Sequence, residues 1–185
     1  IISQLPFEAN EGQIELLDKL SRFIISPSPR KAFILNGYAG TGKTSIMAAL
    51  VQAMKELKQH IVLLTPTGRA AKRMSEATGH EAKTVHRMLE MERTTDDEMR
   101  FCRNARTPLT ENVVIVDEAS MIGKSDTFSG TNRNLLDDLI DYVAEGDHCR
   151  LLLIGDSAQL PPVGTDVSPA LDTDILTSIF NLNVY

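Results

Sequence analysis

The sequence predicts an α/β fold, a parallel sheet with helices on both faces, and three observations lead there. Short apolar runs recur at 32–35, 61–64, 113–116 and 151–154. Longer stretches with apolar residues at helical intervals separate most of them. The runs are continuous rather than alternating, as expected of strands buried on both faces.

Each element follows from its residues. After Asn10, the positions Ile14, Leu17, Leu20 and Ile24, joined by Leu16 and Phe23, mark an amphipathic helix that residues 26–29 break. The run at 32–35 ends in Asn36 and Gly37, and residues 43–57 read as a helix with Ile46, Leu50 and Met54 on one face. A strand at 61–64, a helix at 70–77, a strand at 113–116, a helix at 135–143 and a strand at 151–154 follow. Residues 92–110 are polar and basic, and residues 123–134 are rich in Ser, Thr, Gly and Asn. Both read as excursions from the sheet.

With 185 residues the chain is the size of one domain and needs no disulfide or metal to hold its core. No apolar run approaches the ~20 residues that cross a bilayer, so no membrane association is expected. The chain begins at Ile1 and shows no signal-peptide pattern, which reads as an excised piece. Cys102 and Cys149 are far apart, and His60, His80, His86 and His148 lack metal-ligand spacing. Reduced thiols fit a cytoplasmic protein. The net charge of −6 argues mildly against polyanion binding, but bases gather between Gly68 and Arg106, whereas residues 137–147 are acidic.

The segment Gly37, Tyr38, Ala39, Gly40, Thr41, Gly42, Lys43, Thr44 matches G-x-x-x-x-G-K-[ST] in full, between a strand and a helix. Glycines there let backbone N–H groups turn around an anion, and the following helix offers its positive end. This is the phosphate loop of a P-loop NTPase. Gly37, Ala39, Gly40, Thr41 and Gly42 cradle the phosphates of ATP, Lys43 reaches the β- and γ-phosphates, and the Thr44 hydroxyl can ligate Mg2+.

The run at 113–116 leads directly into Asp117 and Glu118, two carboxylates at the C-terminal end of a buried strand, where open α/β sheets place ligands. Asp117 is assigned to the metal and Glu118 to the general base. The last predicted strand exits into Gly155, Asp156, Ser157, Ala158 and Gln159. Asp156 is grouped with the nucleotide-binding residues. Gln159 is either a surface loop residue or a sensor of the γ-phosphate.

Together the phosphate loop, Thr65-Pro66-Thr67-Gly68-Arg69, Thr84-Val85-His86, the acidic pair and Gly155-Asp156-x-x-Gln159-Leu160-Pro161-Pro162 resemble the ordered motifs of superfamily 1 DNA helicases, RecD-type and Dda-like. The resemblance spans residues 10 to about 163, the first RecA-like lobe of such motors. It implies that Gln159 senses the γ-phosphate. It also implies that Gln13 contacts adenine, although Asn10 and Gln13 equally make a capping box. Thr65, Pro66, Thr67, Arg69, Thr84 and His86 would touch single-stranded DNA, with helix capping the other reading of the first two threonines. Residues 91–107 lie where RecD-type enzymes insert a duplex-splitting pin; a solvated basic loop is the other reading.

On the resemblance, residues 1–185 form a single RecA-like ATPase lobe, and a second lobe of the full-length chain supplies an arginine finger. The lobe alone, monomeric, is expected to bind ATP and hydrolyse it slowly. A single-lobe ATPase of PhoH type and a non-catalytic nucleotide-sensing module remain the alternatives.

Overall fold

A parallel strand cannot hydrogen-bond to its sequence neighbour through a tight turn, so each apolar run must be returned to the same end by a crossover. The helical stretches supply those crossovers. A computed structural model describes residues 1–26, 31–89, 92–93, 101–102, 109–123, 135–159 and 168–185. In it α1 covers Glu11–Ile25, β1 Lys31–Asn36, α2 Lys43–Glu56, β2 His60–Thr65 and α3 Gly68–Thr78. Then come β3 Ala82–Thr84, the short α4 Val85–Met88, and a two-residue pair, β4 Glu92–Arg93 with β5 Phe101–Cys102. β6 Asn112–Val116, α5 Leu135–Glu145, β7 Arg150–Gly155, α6 Thr173–Ser178 and β8 Asn183–Val184 follow, with 3₁₀ turns at Ile2–Gln4, Ala119–Met121 and Pro169–Leu171.

The main sheet runs in the order β3-β2-β6-β7-β1-β8, and every pairing in it is parallel. Its central strands β1, β6 and β7 are buried on both sides, and the pleat sends alternate residues into two cores. Phe33, Leu35, Val113, Ile115, Leu152 and Ile154 meet Leu17, Leu20 and Phe23 of α1 and Ile46, Met47, Leu50 and Met54 of α2. Ala32, Val114, Val116, Leu151 and Leu153 meet Leu136, Leu139, Ile140 and Val143 of α5, with Leu176 of α6. Each Val, Leu, Ile, Met or Phe side chain among them contributes roughly 1.5–3 kcal/mol on full burial. Among the described residues no helix is long and apolar enough to cross a membrane.

Three features depart from the sequence reading. The sheet has six strands rather than four, because β3 and β8 are edge strands of three and two residues, too short to show a pattern. Ile14, read as part of the buried stripe of α1, is 45% exposed; the stripe is Leu17, Leu20 and Phe23. And α2 is buried well beyond one face, with Met47, Ala49, Val51 and Ala53 inside.

Of the two excursions, β4 and β5 pair antiparallel, with Glu92 opposite Cys102 and Arg93 opposite Phe101. Otherwise residues 94–100 and 103–108 of the first, with most of the pin segment, lie outside the described residues, as do 90–91 before it and 124–134 of the second.

Candidate nucleotide and nucleic-acid site

Because the sheet is parallel, the C-terminal ends of β2, β6, β7 and β1 fall side by side along one edge. Four sequence motifs leave from that edge. The β1–α2 loop is the phosphate loop, and Gly40 and Gly42 hold φ of 80° and 87°, a left-handed backbone that favours glycine. Gly37 N–H donates to the Gly155 carbonyl at 3.1 Å, which ties the loop to β7. Asn36 strengthens that tie: its Oδ1 accepts from Ser157 N–H at 3.0 Å, and its Nδ2 donates to Ser157 Oγ at 2.9 Å. Lys43 Nζ donates to the carbonyls of Gly37 and Tyr38, and Thr41 Oγ1 donates to Tyr38 O.

From β6 the chain passes through Asp117 into Glu118, whose φ of 54° is unusual for a residue with a side chain. The reversal is closed by Met121 N–H donating to the Glu118 carbonyl at 3.0 Å. Asp117 Oδ1 accepts from Glu118 N–H at 2.9 Å. Burial pushes the Asp117 carboxyl above its ordinary range, opposed by the Glu118 N–H and by the nearby charges of Lys43 and Arg73. Asp117 is half-buried, and a cation bound at its carboxylate offsets that desolvation.

Ala39, Gly40, Gly42, Lys43, Thr44, Asp117, Glu118 and Gln159 line one open cleft of about 860 Å³, together with Ala70, Arg73 and Met74 of α3. The hydroxyl of Thr44 and the carboxylate of Asp117 thus share a cavity. Mg2+ commonly takes only one or two protein oxygens and fills its octahedron with water and substrate phosphate. Thr44 and Asp117 fit that donor set.

Other assigned residues sit beside the cleft rather than on its wall. Asp156 is buried, and its Oδ1 accepts from Ala158 N–H at 2.9 Å, so it shapes the turn that carries Gln159. Gln13 completes the capping box with Asn10 in both directions. Its Nε2 nonetheless lies 3.4 Å, and the Phe7 ring 3.9 Å, from where a Cβ on Gly42 would stand.

The candidate strand-binding residues are gathered by register, since Thr65 pairs with Thr84 across β2 and β3. Arg69 is exposed on the first turn of α3, and Pro66 precedes it. Thr67 caps α3, accepting from Ala70 N–H, and Thr84 caps α4, accepting from Arg87 N–H. Thr65 differs from its sequence reading: it is fully buried and its hydroxyl donates to Thr67 O, so it supports the turn instead of presenting that hydroxyl to a ligand. His86 is half-buried on α4.

Four residues at the site carried no assignment from sequence. Asn36 and Ser157 link two loops, and Ser120 Oγ, buried, lies 3.5 Å from Gln159 Oε1. Arg73 Nη2 meets Glu118 Oε1 at 2.5 Å. Helical spacing sets Arg73 on the face of Arg69, but only the β6 turn sets Glu118 opposite it.

A six-stranded parallel sheet with this loop and acidic pair at its C-terminal edge defines a RecA-like P-loop domain. The chain belongs to the family described as the AAA domain, which matches residues 22–165, and within it is of superfamily 1 helicase type, RecD- and Dda-like. It is 34% identical over 154 residues to the ATP-dependent RecD2 DNA helicase of Deinococcus radiodurans, covering 83% of this chain and 18% of that protein. To the RecBCD enzyme subunit RecD of Mycobacterium tuberculosis it is 33% identical, over 70% of this chain and 24% of that one. To the ATP-dependent DNA helicase dda of phage T4 it is 31% identical, over 70% and 28%. The chain therefore spans about a quarter or less of the length of most of these relatives. The Pif1 helicase of Candida albicans aligns over 85% of this chain and 34% of its own, with a TM-score of 0.46 and 17% identity.

Proposed function

We propose that this chain is the ATP-binding motor lobe of a DNA helicase, which couples Mg-ATP hydrolysis to movement along single-stranded DNA. The observation that carries the reading is one cleft bearing Lys43, Thr44, Asp117, Glu118 and Gln159, beside an edge that gathers Thr67, Arg69, Thr84 and His86.

The roles follow from chemistry. Lys43 and the open first turn of α2 hold the β- and γ-phosphates. Thr44 and Asp117 hold Mg2+, which neutralises phosphate charge when bound. Glu118 accepts a proton from the attacking water, and Gln159 meets the γ-phosphate. Gln13 is the adenine contact; its capping bond uses Oε1 and leaves Nε2 able to donate. Pro66, Thr67, Arg69, Thr84 and His86 follow the strand, with Thr65 contributing through the turn it braces.

A second RecA-like lobe of the full-length protein closes on the cleft and brings an arginine, the kind of group worth on the order of 10³–10⁵ in turnover. The lobe alone is monomeric, binds ATP and turns it over slowly.

The test is ATP turnover by the full-length protein with and without single-stranded DNA. Wild type is stimulated by the strand. Glu118→Gln keeps ATP binding by calorimetry and loses about 10²–10⁴ of turnover, the usual worth of a general base. Turnover indifferent to DNA favours a single-lobe ATPase without unwinding activity.

A further inference from the structure

Arg73 lies inside the nucleotide cleft but belongs to α3, the helix that carries Arg69. It is four residues beyond Arg69, hence on the same face of α3. Its guanidinium meets Glu118 Oε1 at 2.5 Å, while its side chain is 66% exposed and that of Glu118 is 26% exposed. With its guanidinium this open to water the pair is held weakly, because solvent competes for Arg73. A planar guanidinium also binds phosphate oxygens in the same fork geometry as carboxylate oxygens. The ion pair can therefore be exchanged for another anion that approaches along α3.

We propose that Arg73 is a positioning residue for Glu118, and that a phosphate of a single strand lying on Arg69 competes with that carboxylate for the guanidinium. While Arg73 holds it, Glu118 Oε1 is occupied by the guanidinium and is not presented to an attacking water. When a backbone phosphate takes Arg73, Glu118 is freed toward the γ-phosphate side of the cleft. Strand occupancy is thereby read by the hydrolytic centre through one side chain, without movement of the sheet. The proposal rests on the reading of Glu118 as the base.

The experiment uses the full-length protein and an oligo(dT) strand, with ATP turnover measured over a range of ATP with and without the strand. Arg73→Ala is expected to raise strand-free turnover about two- to fivefold, the factor an exposed ion pair is worth. Strand-stimulated turnover stays near wild type, so the stimulation ratio falls, and the effect appears in kcat rather than in the KM for ATP. The salt slope of oligo(dT) binding falls by about one, for one lost phosphate contact. Arg73→Lys, which keeps the charge, restores much of the ratio. An unchanged ratio in Arg73→Ala, or an equal loss of turnover in both conditions, overturns the coupling. Glu118→Gln separates the two readings: hydrolysis retained there removes the base itself, whereas hydrolysis lost there beside an unchanged Arg73→Ala ratio removes only the coupling.

Discussion

Two strand-to-helix connections leave the same edge of the sheet and treat their helix ends in opposite ways. Between β1 and α2 the chain enters the helix through Gly42 in the left-handed region, and no side chain caps the first turn. Between β2 and α3, Thr67 accepts from Ala70 N–H and caps the helix from within. Asn10, Thr84 and Asp172 do the same for α1, α4 and α6. Among the α-helices described with a cap residue, α2 is the one whose first turn has no side-chain cap. A helix end kept open in this way can bind phosphate by main chain and macrodipole together. A capped end has spent that capacity, so a polyanion near α3 must be met by side chains such as Arg69.

The contrast can be broken in graded steps. The largest effect is expected from Lys43→Ala, which removes the charge that complements the open end: turnover falls by at least about 10², as for loss of one preorganised charge-stabilising group, and calorimetry shows weakened ATP binding. Gly42→Ala comes next. It forces a Cβ into φ 87°, at a cost of about 1–2 kcal/mol, and calorimetry shows both a lower Tm and weaker ATP binding. Thr67→Ala should cost a similar ~1 kcal/mol of stability while leaving ATP affinity unchanged. Equal losses of ATP affinity in the last two variants would erase the distinction between the loops. The smallest effect is that of Arg69→Ala: folding and ATP binding are untouched, and the salt slope of single-strand binding drops by about one. An unaltered slope would take Arg69 off the strand path.

Legibility in the sequence followed the same division. The phosphate loop could be read residue by residue, because a main-chain anion cradle demands glycines and a lysine at fixed spacing along one segment. Asp117 and Glu118 were legible because they follow an apolar run that had to be a buried strand. For Asp156 and Thr65 the motif states which residues recur, not which of them turn inward: one shapes a turn and the other braces one. The edge strands β3 and β8 escaped notice since two or three residues carry no periodicity.

The sequence by itself determined the fold class, the two-sided burial of the central strands and the phosphate loop. All of these depend on local spacing, and local spacing is written along the chain. Only the tertiary structure decided the strand order, and with it everything that depends on neighbours. It set Thr65 beside Thr84, joined Asn36 to Ser157, and brought Arg73 of α3 against Glu118 of the β6 turn, 45 residues away. Such contacts arise because parallel strands align their C-terminal ends regardless of chain distance, and no periodicity along the sequence encodes which ends will be adjacent.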